Sequence, residues 1–118
     1  MNTFVKKTSD KSTFSQAGLK GFRVPLENKD VEMYVVDVAQ GHDTFIISKT
    51  ITHIYYVLQG TGFFTINDKR IDVDEGSVVE VPPRVEYTYT GTMKLLLIMS
   101  PPWFEGNETI VKKNPAVK

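Results

Sequence analysis

Three polar side chains, Lys49, His53 and Tyr87, are of types that do chemistry in proteins. An ammonium group binds carboxylates or phosphates, and it acts as a base when its pKa is lowered. An imidazole ligates a divalent metal, exchanges protons near neutral pH or satisfies a buried hydrogen bond. A phenol donates a hydrogen bond to a substrate oxygen, but it is a poor base at neutral pH unless a cation lowers its pKa. The three residues are therefore candidate catalytic and ligand-binding residues.

Each candidate also has a structural alternative. Lys49 reaches solvent or pairs with Glu86 in an ion pair. His53 satisfies a hydrogen bond in the core, and Tyr87 fills space with its hydroxyl bound to a backbone group. A metal site needs about three good ligands, so that His42, Glu86 and Tyr87 would all have to converge on His53 by irregular geometry. We expect no metal and no other cofactor, and His53 is the ligand if a metal does bind.

The composition is that of an ordinary globular domain. The 118 residues are 41% hydrophobic and 24% charged, which predicts one domain with a single core. The absence of cysteine excludes disulfides, a thiol nucleophile and thiolate metal sites. Residues 1–10 lack the apolar stretch of a signal peptide, and the longest apolar run, 95–99, is far too short to cross a membrane. We expect a cytoplasmic protein without a membrane partner.

Charge is distributed unevenly along the chain. Residues 1–23 contain five basic side chains and one acidic one, whereas residues 24–104 contain six basic and eleven acidic ones. The basic arm lies on its own acidic domain, lies on a partner's, or stays solvated. No nucleic-acid partner is expected, because the sequence has no basic face with interleaved aromatic residues.

The middle of the chain reads as a series of short strands. Apolar residues alternate with polar ones between turn residues that recur every eight to twelve positions, and no long segment has helical spacing. Asn67-Asp68 predicts a tight hairpin turn, because both residue types tolerate positive φ. The pattern indicates an all-β sandwich or barrel. The predicted strands are 31–39, 44–49, 53–59, 62–67, 69–73, 77–81, 86–90 and 93–100.

Glycine residues frame two segments of this series. Gly41 is followed after five residues by Ile47-Ser48-Lys49, and then by His53 and Gly60; Gly76 is followed after five residues by Pro82, and then by Arg84, Tyr87 and Gly91. This spacing resembles that of the cupin superfamily, whose motifs read G-x5-H-x-H-x3-E-x6-G and G-x5-P-x-G-x2-H-x3-N. The segment 100–105 is similar to the exit from the barrel in small single-domain bacterial cupins.

The resemblance implies a cupin-type jelly-roll barrel with altered metal-ligand positions. Carried over position by position, the family's metal ligands become Ile47, Lys49, His53 and Tyr87. The expected organisation is a basic arm at 1–21, a cupin barrel at 22–105 and a tail at 106–118.

Strand parity then predicts which side chains face the barrel interior. If Lys49 and His53 point inward, so do the other candidate ligand-binding residues of the same parity, which are Ile47, Ile51, Tyr55 and Val57. A bulge between Lys49 and His53 would shift this assignment by one residue. Ile54, Tyr56 and Leu58 form an apolar outward row, which predicts that another sheet or another subunit covers this face, and we expect a homodimer.

The leading functional hypothesis is a metal-free cupin that binds a small polar or anionic molecule, of carbohydrate or organic-acid type, in the barrel mouth. Lys49 would hold the anion, while His53 and Tyr87 would hydrogen bond to the ligand. One alternative is a cupin-type sugar isomerase or epimerase that uses His53, Tyr87 and Lys49 in acid–base chemistry. A second alternative is a non-catalytic interaction or scaffold protein whose barrel is filled by large side chains.

Overall fold

The computed structural model describes residues 4–118, and every regular element in that range is a β-strand. Nine strands follow one another along the chain: β1 (Phe14–Gln16), β2 (Leu19–Val24), β3 (Glu32–Val38), β4 (Thr44–Ser48), β5 (Thr52–Ile66), β6 (Lys69–Val73), β7 (Val78–Val81), β8 (Tyr87–Ser100) and β9 (Glu108–Lys113). All pairings between them are antiparallel. The all-β jelly-roll class expected from the sequence is confirmed.

Strands β5 and β8 form the centre of the curled sheet. They pair along almost their whole length, from Thr52 opposite Ser100 to Ile66 opposite Tyr87. Strand β8 also pairs with β3 and, at Tyr87, with β4, so the strand order runs β1-β2-β3-β8-β4-β9. Strands β6 and β7 pair with the two ends of β5. The sheet therefore wraps around an interior toward which β3, β4, β5 and β8 all present side chains.

Glycine allows the two long strands to bend without ending. Gly91 has a φ of 145°, and a Cβ atom added there would lie 2.6 Å from both the Gly62 Cα and the Thr61 carbonyl oxygen. No side chain fits at that distance, so the strand crossing requires glycine. The predicted strands 53–59 and 62–67 are for this reason one strand, β5, and 86–90 and 93–100 are one strand, β8. The tight turn predicted at Asn67-Asp68 is confirmed by φ values of 48° and 66°.

The core follows the alternation of the central strands. Val36 of β3, Val57 of β5 and Leu95 of β8 have no exposed surface, and Phe64 is equally buried near the other end of β5. Successive inward residues of a strand lie two apart, so this core fixes the orientation of the tyrosines farther along the same strands.

Three strands lie where the sequence pattern predicted none. Strands β1 and β2 fall largely within the segment interpreted as a basic arm, and β9 falls within the segment interpreted as a tail. Strand β2 pairs with β3 over six residues and buries Leu19, so residues 14–24 lie on the sheet of their own chain. Lys20, Gly21 and Arg23 interrupt the apolar alternation of β2, and β9 is exposed over most of its length. Both features remove the period-two signal from the sequence.

The outer face of the sheet carries two adjacent apolar rows across the strands. Tyr56 pairs with Val78 and Leu96, and the row continues through Val35 to Phe22. The neighbouring row consists of Ile54, Ile98, Met33 and Val24. Tyr56 is 42% exposed and Val78 is 61% exposed. These two rows are called the outer apolar face below.

Candidate functional site

A pocket of about 350 Å³ opens into the interior of the curled sheet. Its size is within the range typical of small-molecule sites. Six of the residues in its wall are aromatic, and four further side chains bring carboxylates and imidazoles into it. The aromatic residues are Phe14, Tyr34, Tyr55, Tyr87, Tyr89 and Trp103, and the others are Glu32, His42, His53 and Glu108.

Three buried tyrosines form the floor of the site. The hydroxyl oxygens of Tyr55 and Tyr87 are 2.6 Å apart and share one hydrogen bond. Tyr89 packs edge-on against Tyr55 with 5.3 Å between ring centroids, and Phe64 packs against both rings. Burial raises the pKa of all three phenols well above the ordinary value of 10.0. The tyrosines therefore act as neutral hydrogen-bonding groups and not as tyrosinate bases.

His53 stands beside this floor as a neutral imidazole. Its ring stacks on Tyr55 at 6.3 Å and lies 5.8 Å from the Tyr87 ring. Only 3% of the residue is exposed, and its Nδ1 atom is buried without a hydrogen-bond partner among the described residues. Burial lowers the pKa of His53 to about 4, against a smaller raising effect from the Ile51 backbone. The imidazolium is disfavoured here because no carboxylate of the described chain compensates for the lost hydration.

His42 lies in the turn that follows β3, next to the frame glycine Gly41. Its Nδ1 atom is 2.8 Å from the Thr44 carbonyl oxygen. A carbonyl oxygen only accepts, so this short contact favours the tautomer with the proton on Nδ1 and a lone pair on Nε2 over the longer contact of 3.4 Å from the Thr44 backbone N–H to Nδ1. The His42 backbone N–H donates to the Tyr89 carbonyl at 2.9 Å, and the ring packs edge-on against Tyr89 at 5.7 Å. The site thus contains one imidazole whose free nitrogen is suited to accept a proton.

The C-terminal segment braces this turn. The side-chain amide of Asn114 donates to the His42 carbonyl at 3.0 Å and to the Thr90 Oγ1 at 3.0 Å. Asn107, in the loop before β9, accepts a hydrogen bond from the Ser48 hydroxyl at 3.1 Å. Both asparagines are buried. Residues interpreted from the sequence as a tail therefore position the site.

Two carboxylates face the pocket. Glu108 is the first residue of β9, and burial raises its pKa, although the nearby His42 opposes that shift. Glu32, at the start of β3, accepts a hydrogen bond from the Trp103 backbone N–H at 3.2 Å. Burial first, and the charge of Glu32 second, raise the pKa of Tyr34.

The structure brings together only part of the predicted site. His53, Tyr55 and Tyr87 line the pocket, whereas Ile51 and Val57 are buried in the core outside its lining. The inward orientation expected for Ile47 and Lys49 is wrong. Ile47 is only half-buried, and Lys49 is exposed.

A bend between two strands is the reason for this difference. Residues 49–50 form a bend between β4 and β5 that breaks the alternation assumed across the connection. Ile46 and Ser48 are consequently the buried residues of β4. No ion pair between Lys49 and Glu86 is present in residues 4–118.

The sequence pattern did not indicate Glu32 or Glu108 as site residues, and it indicated His42 only as a remote metal ligand. Tyr89 had a usable signal, because it has the parity of Tyr87 on the same strand. Glu108 had none, since its approach depends on the pairing of β9 with β4.

The donor set does not fit a cupin-type metal centre. Of the four positions carried over from the family motif, two hold side chains outside the pocket, and a third, Tyr87, shares its hydroxyl with Tyr55. The described residues contain no group of three or more His, Cys, Asp or Glu side chains placed to hold a metal ion.

Within residues 4–118, no helix is long and apolar enough to cross a membrane.

Known proteins share both sequence and fold with this chain. Residues 33–99 match the family model of the cupin domain. An uncharacterized protein of Methanocaldococcus jannaschii is 28% identical over an alignment of 76 residues, and the match covers 55% of this chain and 61% of that protein. The chain thus matches less than two thirds of the length of this relative.

Several solved structures are similar in fold. The nucleoside dehydratase Pac13 has a TM-score of 0.79 at 22% identity, with 92% of this chain and 86% of that chain covered. Three Streptomyces Pac13 structures with uridine carry His→Gln at position 42, Tyr→Phe at position 55 or Tyr→Phe at position 89. The first of these has a TM-score of 0.84 at 22% identity and covers 93% of this chain and 92% of that chain.

KdgF from Halomonas sp. has a TM-score of 0.69 at 14% identity, with 79% and 87% of the two chains covered. At such identities the likeness concerns the fold. The family model, by contrast, matches more than half of the sequence and includes both glycine-framed segments up to Met99. The chain therefore belongs to the cupin family.

Proposed function

We propose that the aromatic pocket binds a nucleoside-type small molecule and that His42 is the acid–base group of a dehydration carried out there. The observation that carries this proposal is the convergence of His42, Tyr55 and Tyr89 on one pocket of about 350 Å³. The Pac13 structures with uridine carry substitutions of the same residue types at the same position numbers. A pocket lined by tyrosines also supports ligand binding over a scaffold with a filled barrel.

The side chains of the pocket suit a flat, polar ligand. Aromatic rings such as Tyr34, Tyr55 and Tyr89 stack on or pack against a nucleobase. The neutral hydroxyls of the tyrosines and the neutral imidazole of His53 donate or accept hydrogen bonds without carrying charge. Lys49 is exposed and outside this wall, so it does not support the anion clamp expected from the sequence or the acid–base trio of the isomerase alternative.

A dehydration needs one proton removed from carbon and one proton given to the departing hydroxyl. The C–H and C–O bonds break, a C=C bond forms and water leaves, so no oxidant or further reactant is needed. His42 is suited to both steps because its Nδ1 proton is held by the Thr44 carbonyl and Nε2 is free to accept and return a proton. Glu108 faces the same pocket and stabilises the imidazolium formed in between.

We also propose that the protein works without a bound metal. The chemistry assigned to His42 requires no Lewis acid, and the donor set around His53 is poor in metal ligands. Elemental analysis of protein purified without chelator is expected to find no stoichiometric transition metal. One equivalent of iron, manganese, nickel, copper or zinc that is lost in a His53→Gln variant would contradict this.

Uridine binding by calorimetry tests the proposed pocket. Adjacent residues of β5 supply a matched pair of variants: Tyr55→Phe removes a hydroxyl inside the pocket, and Tyr56→Phe removes one on the outer apolar face. We expect wild-type protein to bind uridine and Tyr55→Phe to weaken binding by about tenfold, the scale of one lost hydrogen bond. Tyr56→Phe should bind as wild type does. Equal effects of both substitutions, or no binding by wild type, would refute the pocket assignment.

Activity is tested separately. Mass spectrometry of nucleosides and their oxidised derivatives incubated with the protein should reveal loss of one water. The His42→Gln variant should retain its fold and lose this activity. Dehydration that persists undiminished in that variant would exclude His42 as the acid–base group.

A further inference from the structure

The pocket carries negative charge and has no cation in its described wall. Glu32 and Glu108 line it, and none of its lining residues within 4–118 is lysine or arginine. Two cationic side chains near its rim, Arg23 and Lys29, line a separate small cleft that shares only Glu32 with the pocket. Carboxylates are consequently the charged side chains of the pocket wall itself, and Arg23 acts on this wall only from outside, where its charge opposes the effect of Glu32 on the pKa of Tyr34.

The two histidines do not supply the permanent positive charge of a lysine or an arginine. His53 is buried away from any carboxylate partner in the described chain and remains neutral at pH 7. The Nδ1 atom of His42 is 2.8 Å from the Thr44 carbonyl oxygen, so a proton on Nδ1 is hydrogen-bonded to the backbone and not to a ligand. Residues 4–118 also contain no helix, so no helix N-terminus supplies the backbone donors that commonly hold phosphate groups.

Glu32 is fixed on the solvent-facing rim of the pocket. Its carboxylate accepts the Trp103 backbone N–H at 3.2 Å, and its charge acts on the Tyr34 hydroxyl next to it. Glu32 is half-exposed, and Trp103 is 47% exposed. A ligand in the pocket therefore lies against two half-buried carboxylates, Glu32 and Glu108.

We propose that this pocket selects uncharged ligands, so that it takes the free nucleoside and rejects the phosphorylated nucleotide, with Glu32 and Glu108 as the residues that determine this specificity. The inference rests on the proposed function and narrows its substrate class. A phosphate monoester carries nearly two negative charges at pH 7. Proteins that bind phosphate supply arginine, lysine or helix N-termini, and this pocket supplies two carboxylates in a partly dehydrated cavity, where repulsion is stronger than in water.

Calorimetric titration of the same protein with uridine and with uridine 5′-monophosphate tests the inference. Wild-type protein should bind uridine at least about tenfold more tightly than the monophosphate at low salt. The variants Glu32→Gln and Glu108→Gln should each reduce this ratio by about threefold or more, because each removes one repelling charge and keeps the shape of the side chain. In the first variant the new amide oxygen still accepts the Trp103 N–H bond.

The matched control is Glu80→Gln, which removes the same charge from an exposed position on β7, outside the pocket. It should leave the ratio unchanged, and added salt should reduce the ratio of wild-type protein. Thermal melts check that each variant is folded.

The possible results separate the two proposals. The proposed selection against charged ligands is refuted by any of three results: equal affinity for the two ligands, tighter binding of the monophosphate, or an affinity ratio that neither pocket substitution changes. None of these results contradicts the proposed nucleoside pocket. Binding of neither ligand by folded wild-type protein overturns the proposed function and this inference with it.

Discussion

The buried imidazole of His53 should make this protein lose stability as the pH falls from 7 to 5. Its pKa is about 4 in the folded protein and 6.5 in an unfolded chain. Because the folded pKa is the lower one, the unfolded state binds the proton first, and the stability present above pH 6.5 is lost as the pH falls toward 4. At about 1.4 kcal/mol per pH unit, the full difference corresponds to about 3 kcal/mol, of which about 2 kcal/mol is lost between pH 7 and pH 5.

The upper part of this range isolates His53 from the carboxylates. Glu108 has a raised pKa in the folded protein, so its protonation favours folding at lower pH and opposes the His53 effect there. Denaturant unfolding at pH 7, 6 and 5 measures how the free energy of unfolding changes with pH. The sequence contains only two histidines, which makes the assignment simple.

The decisive comparison is between two variants. His53→Gln should flatten the dependence of unfolding free energy on pH in this range, while His42→Gln should leave most of it. NMR titration of the imidazole signals supplies an independent value for His53. A His53 signal that titrates near its ordinary pKa of 6.5, or a pH slope that survives His53→Gln, would show that the ring is not held in a dehydrated position.

Three further results are expected. Lys49→Met should change the unfolding free energy by no more than about 0.5 kcal/mol and leave uridine affinity unaltered, because Lys49 is exposed and forms no ion pair in the described part of the chain. A large fall in melting temperature would contradict this placement of Lys49. Gly91→Ala should destabilise the fold by about 3 kcal/mol or more, since the added Cβ would lie 2.6 Å from backbone atoms. Gly76→Ala has open space around the added Cβ and should destabilise the fold by only about 1 kcal/mol. Similar melting temperatures for the two variants would show that the close backbone approach at Gly91 does not limit the side chain. We also propose that the outer apolar face forms a homodimer, and sedimentation should show a dimer that Tyr56→Lys converts to a monomer; a monomeric wild-type protein at micromolar concentration would exclude it.

Much of the fold was predictable because its signals are local. The alternation in β3 and β5 records which face of each strand is buried, and the turn at Asn67-Asp68 records a backbone that few other residues tolerate. The frame glycines record close backbone approaches, as at Gly91. Each of these constraints acts on one residue or on its neighbours in sequence, so each leaves a mark in the residue types.

The composition of the site depended on contacts distant in sequence. Lys49 lies outside the barrel because residues 49–50 form a bend, and the motif spacing does not reveal that the inward and outward alternation is interrupted there. Glu108 enters the pocket only because β9 pairs with β4, and His42 is braced by Asn114 from 72 residues away. The sequence by itself determined an all-β cupin barrel, with His53, Tyr55 and Tyr87 facing its interior. Only the tertiary structure decided that two carboxylates and a second histidine, and no lysine of the described chain, share that interior, because side chains meet there through pairings that no local pattern encodes.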